Sequence, residues 1–173
     1  QIEIRAPSAT NSYQGFGENP VKVAVLIWQG MVATDALQKL VYQYRPYESN
    51  PGEVDALYTQ ALNRIIAAVE AKGGEKLMKV MQWIATQFEA LSLDRSQSRP
   101  LIGVIGEIYV RLNTQANQEM IRQVEAKGGE VICATMMEWI YFSNWLVKDH
   151  SWYSQQWLEY LKIFLVDTYQ QWQ

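Results

Sequence analysis

The chain has one cysteine, one histidine and no marked excess of charge of either sign. A single cysteine excludes an internal disulfide and suits a reducing, cytoplasmic compartment. It also leaves too few thiolates for a cubane cluster, and with His150 too few ligands for a structural zinc. One histidine without a GxSxG elbow gives no Ser-His-Asp or Cys-His arrangement. Neither GxGxxG nor a GKS or GKT triplet occurs, so the dinucleotide fingerprint and the phosphate loop are both missing. With 15 Lys and Arg against 18 Asp and Glu, the formal net charge is −3. That balance offers no footprint for nucleic acid. No basic n-region precedes an apolar core, as a signal peptide requires. Glu159, Lys162 and Asp167 interrupt the last apolar stretch before it reaches the length of a bilayer, so no membrane contact is expected. What remains is a chain of 173 residues, 49% apolar, with material for one sizeable core.

Residues 1–18 are polar and rich in Gly, Ser, Asn and Pro, and read as a flexible N-terminal segment. Residues 19–173 then read as a single helix-rich α/β domain. Asn19-Pro20 is a helix start, with Asn as cap and Pro at the first helical position. The valines of 21–28 alternate as a strand would, but Ala24, Ile27, Met31, Leu37, Val41 and Tyr44 extend at helical spacing, and helix is the reading adopted. Arg45-Pro46 ends it. Asn50-Pro51 starts a second helix, with Val54, Leu57, Ala61, Ile65 and Ala68 on one face and Gly73-Gly74 as its stop. A third helix runs from about Glu75 to Leu91, its methionines filling gaps in the core. The heptapeptide VEAKGGE occurs twice, from Val69 and from Val124, and reads as reuse of a good helix ending.

The organising stretch is Leu101–Trp139. Leu101 to Ile108 is a β-branched apolar run that reads as a buried strand. Asn113 or Thr114 can cap a helix carrying Ala116, Met120, Ile121 and Val124, stopped by Gly128-Gly129. Val131 to Ala134 resumes as a second strand, with Cys133 inside it as a small buried hydrophobe. The fold expected is therefore α/β: a helix-rich domain with a small parallel sheet, built on a βαβ unit over 101–136 with a right-handed crossover. Two more helices follow, one over Glu138–Asp149 and one capped by Ser151.

Open parallel sheets bind ligands outside the carboxyl ends of their strands. The residues expected there are Glu107, Tyr109, Arg111 and Asn113 after the first strand, and Glu138 with Trp139 after the second. The N-terminus of the intervening helix would offer amides to an anion. Glu107 and Glu138 are also placed to form a carboxylate pair, although nothing in the sequence shows a shifted pKa. An ordinary reading stands beside these: Glu107 and Arg111 as a solvated ion pair, with Tyr109 packed on the edge. No catalytic residue and no metal ligand is assigned.

The segments GEIYVRLN (106–113), VEAKGGEV (124–131) and MEWIYFSN (137–144) together resemble the C-terminal part of large activase–dehydratase proteins. These are the CoA-substrate-specific enzyme activases of the 2-hydroxyacyl-CoA dehydratase and benzoyl-CoA reductase type. The run from Trp28 to Glu48, through its GMVATD and RPYE pieces, is similar to the same family. The resemblance covers roughly Trp28 to Asn144. It implies ATP-driven, low-potential electron transfer through [4Fe-4S] clusters held by cysteine thiolates, and a flavodoxin-like or dehydratase-like lobe that is incomplete here. It also makes Arg45, Tyr47 and Glu48 candidates for the ligand face, against a plainer reading as a cap and turn held by an ion pair. The chain departs from the family in having only Cys133. In the family the cysteine loop would lie beyond the last residue and the actin-like nucleotide-binding part before the first. The expectation is a catalytically silent piece of a larger polypeptide, with [4Fe-4S] and ATP belonging to the parent. Its partners are then the parent's remaining domains, or a second copy on the exposed sheet edge. A different class stays open: an independent ligand-binding or interaction domain with an anion site at 106–113.

Overall fold

The computed structural model describes residues 19–153 and 157–172. The expected flexible segment at 1–18 lies outside the described residues. The chain divides into two compact units: residues up to Tyr44 together with Glu48–Leu93, and Arg45–Tyr47 together with the residues from Asp94 onward.

The first unit contains three helices, α1 (Pro20–Tyr44), α2 (Glu53–Glu70) and α3 (Glu75–Glu89). Residues 21–28 are helical. Asn19 caps α1 as its sequence suggests, its side-chain oxygen accepting from the Lys22 amide at 3.1 Å. The apolar stripes meet in a core where Leu37, Val54, Ile84 and Phe88 are fully buried. Tyr44 meets Phe88 edge to face, with ring centroids 5.2 Å apart. Among the described residues α1 is also the one helix long and apolar enough to cross a membrane. Leu37 and Val41 are buried and α1 packs on α2 and α3, but only 11% of its most apolar stretch is buried.

Helix α2 begins two residues later than Asn50-Pro51 suggests, because the cap comes from elsewhere. Both Glu48 oxygens accept backbone amides, one from Gly52 and one from Val54, each at 2.9 Å. A carboxylate there complements the amide end of the helix.

The second unit holds β1 (Leu101–Val104), α4 (Ile108–Leu112), α5 (Met120–Ala126), β2 (Glu130–Cys133), α6 (Met136–Tyr153) and α7 (Trp157–Trp172), with a 3-10 turn at Arg45–Tyr47. The strands pair in parallel, Leu101 with Glu130 through Val104 with Cys133, so the expected small parallel sheet is present. Paired residues share a face. Val104, Val131 and Cys133 are buried with Ile121 of α5, while Leu101 and Ile132 on the opposite face are exposed. Parallel sheets are normally covered on both faces. Among the described residues, this one is covered on one.

Three sequence expectations change here. β1 stops at Val104 instead of Ile108, because Gly106 turns the chain at φ +145° and Glu107 starts a helix. The helix expected from Asn113 begins only at Met120; Asn113 caps a turn, accepting from the Ala116 amide at 2.9 Å. α6 runs through Ser151 to Tyr153, so Ser151 lies inside it instead of capping the last helix, which is described from Trp157. The α6–α7 pair is pinned by an ion pair between Lys148 and Asp167, whose side chains are 22% and 11% exposed.

Candidate functional site

The carboxyl edge of the sheet is where β1 runs into Ile105–Glu107 and β2 into Ala134-Thr135. Each acidic residue expected there turns out to cap a helix. The Glu107 carboxylate accepts from the Val110 amide at 2.9 Å. That bond, with help from the Tyr109 amide, holds its carboxyl below the usual range. Thr135-Met136-Met137-Glu138 has the capping-box sequence, and Glu138 Oε2 reaches back to accept from the Thr135 amide at 2.9 Å. A depressed pKa favours the carboxylate form of Glu107, which suits it poorly as a proton donor. The amides at the start of α4 face their own carboxylate.

Asn113 is committed to its turn, and Asn117 ties that turn back by donating to the Arg111 carbonyl at 2.9 Å. Tyr109 and Trp139 stand exposed, at 65% and 46%. Arg111 differs from all of these. It is half-buried, and its Nε is shut off from solvent without a hydrogen-bond partner among the described residues. Its charge reaches both Glu107 and Cys133, favouring the ionised form of each. Burial outweighs it at Cys133, pushing the thiol up, with Glu138 adding to the rise.

Arg45 belongs to a second cluster. Its Nε and Nη2 bind the two oxygens of Glu125 at 2.8 and 2.9 Å, a bidentate pair with side chains only 10% and 8% exposed. Tyr47 donates its hydroxyl to Glu130 Oε2 at 2.7 Å, and its carbonyl accepts from the Asp94 amide at 2.8 Å. The bond to Glu130, aided by burial, raises the Tyr47 pKa above its usual value. Arg95 lies over the Tyr47 ring at 4.7 Å. Arg45 and Tyr47 are thus a turn held by an ion pair and a hydrogen bond. Sequence reasoning found them but not Glu125 and Glu130, which stand 80 and 83 residues away. Only the second VEAKGGE copy hinted at those two.

The residues present do not suit a cubane cluster. Cys133 is a single thiol, buried on the strand and biased toward its protonated form. No group of three or more His, Cys, Asp and Glu gathers for a metal among the described residues. In comparisons with known proteins, no family model, curated protein or solved structure matches it.

Proposed function

We propose that this chain is a scaffold module of a larger activase/dehydratase-like protein, itself without catalysis. The parent is linked to ATP-driven, low-potential electron transfer to CoA-thioester dehydratases or reductases in the cytoplasm. The second unit is an incomplete flavodoxin-like or dehydratase-like lobe, and its carboxyl edge is one wall of a cluster or acyl-CoA site. One observation carries the reading. Four large apolar side chains are exposed in the first unit, and seventeen in the second, among the described residues. Monomers rarely expose apolar patches beyond a few hundred Å². Leu101 and Ile132 on the bare sheet face, with Trp139, Phe142 and Trp145 on α6, form the kind of surface that other parts of a parent cover. The choice of parent is supported by the resemblance in GEIYVRLN and MEWIYFSN.

The test is to produce the chain joined to its downstream sequence, purify it without oxygen, and measure iron, sulfide and the visible spectrum. A cluster in the longer protein, absent from this chain alone, makes these residues scaffold beside a redox site. A folded longer protein without iron sinks the redox reading. A second reading, an independent domain with an anion site near 106–113, is favoured by the buried, unpartnered donor on Arg111. Tight binding of CoA by the isolated chain would move it in front.

A further inference from the structure

We infer that Arg111 is the ligand-contacting residue of the carboxyl edge, and that it binds an oxyanion, a carboxylate or a phosphate. The inference rests on reading that edge as the wall of a site, in either form given above. It narrows seven candidates to one by elimination. Glu107, Asn113 and Glu138 each hold a backbone amide through one side-chain oxygen, and Arg45 is paired with Glu125. Tyr109 and Trp139 are exposed aromatics that can flank a ligand but carry no charge to orient one.

The Arg111 guanidinium carries five N–H donors in a fixed planar fork and no acceptor. A buried polar donor left without a partner is costly, and a charged one more so. Within the chain the nearby carboxylates bind amides instead: Glu107 holds the Val110 amide and Glu138 the Thr135 amide. The side chain recovers that cost when it swings its fork onto an external oxyanion. Carboxylate and phosphate both present two oxygens at the spacing of the guanidinium edge, and lysine matches neither in this way. The position is also the one open parallel sheets use, just past the carboxyl ends of adjacent strands. An anion bound there meets Arg111 and not the α4 amides, which Glu107 already occupies.

The experiment uses the full chain labelled with ¹⁵N. The Arg111 Nε–H resonance, identified by its loss in Arg111→Lys, is followed while inorganic phosphate and succinate are titrated separately. A saturable shift with either probe, in the millimolar range or below, supports the inference. Phosphate alone points to a phosphate ester as the source, and succinate alone to a carboxylate. Arg111→Lys keeps the charge and should weaken the responding anion by at least about tenfold. Arg64→Lys, remote on the Trp83 ring of the first unit, should leave it unchanged. No saturable shift with either probe overturns the inference, as does equal binding by Arg111→Lys. If that variant does not fold, Arg111→Gln takes its place for both the assignment and the affinity comparison. Iron and sulfide in the longer protein are scored without reference to Arg111, so the two readings fail separately.

Discussion

The same seven residues, VEAKGGE, end α2 in the first unit and α5 in the second, and the two copies behave differently. Each closes its helix with paired bonds back to the last turn. In the first copy the Lys72 and Gly73 amides reach the Val69 and Ala68 carbonyls. In the second the Gly128 and Gly129 amides reach Glu125 and Val124, one position later in the heptapeptide. Positive φ therefore starts at Lys72 (77°) and continues through Gly73 and Gly74 in one copy, and falls on Gly128 (88°) alone in the other. Gly129 decides the second register. A side chain there would meet Val124 Cγ1 at 2.8 Å and Ile102 Cδ1 at 2.9 Å, so the chain passes close over β1. The glutamates diverge as well. Glu70 is exposed and Glu75 makes an exposed pair with Lys79, while Glu125 and Glu130 hold Arg45 and Tyr47. Local sequence stops both helices; tertiary partners decide what the acids do.

Removing those acids breaks the comparison most visibly. Glu125→Gln leaves the Arg45 guanidinium nearly buried against a neutral amide and should cost the second unit about 3 kcal/mol. Glu70→Gln, the matching change in the first copy, should stay within about 0.5 kcal/mol. Denaturant unfolding followed by a probe in each unit separates the two, and equal losses would undo the contrast.

Next in size is Tyr47→Phe, which removes the hydroxyl bond to Glu130 and should cost about 1 kcal/mol at neutral pH. The pH dependence has a definite sign. Folding raises the Tyr47 pKa above its ordinary value of 10.0, so its contribution is complete below that value and is lost as pH rises through the raised one. Wild type should lose stability at alkaline pH faster than Tyr47→Phe. Parallel curves would contradict the assignment.

The smallest effect tests the register itself. Lys72→Gly relieves a left-handed lysine and should stabilise by about 0.5 kcal/mol. Lys127→Gly, at the same place in the second copy, has φ −92° and nothing to relieve. It should destabilise by a similar amount, about 0.5 kcal/mol, through backbone entropy. Thermal unfolding of the pair gives the two signs, and a shared sign would mean the copies close alike.

Much of the first unit was legible because its signals are local. Asn19-Pro20 caps α1, Gly73-Gly74 follows α2, and helical spacing marks Leu77, Ile84 and Phe88. The sheet was legible as two β-branched runs. The loop between them was not, since Ile105–Leu112 continues the same composition and α4 is a single turn or so, too short to show a period. The roles at the site were half-legible. The capping box of Thr135 and Glu138 stands in the sequence, yet strand-end acids read equally well as ligand groups. Arg45 with Glu125 had no local signal. Chain separation hid it.

The most direct measurement is amide hydrogen exchange of this chain, alone and joined to its flanking sequence. If the second unit is a lobe that the parent completes, amides of β1, β2, α6 and α7 slow markedly in the longer protein while those of α2 and α3 stay as they are. The same exchange pattern in both proteins would mean that the bare sheet face and the aromatic face of α6 are the finished surface of an independent domain, contrary to this account.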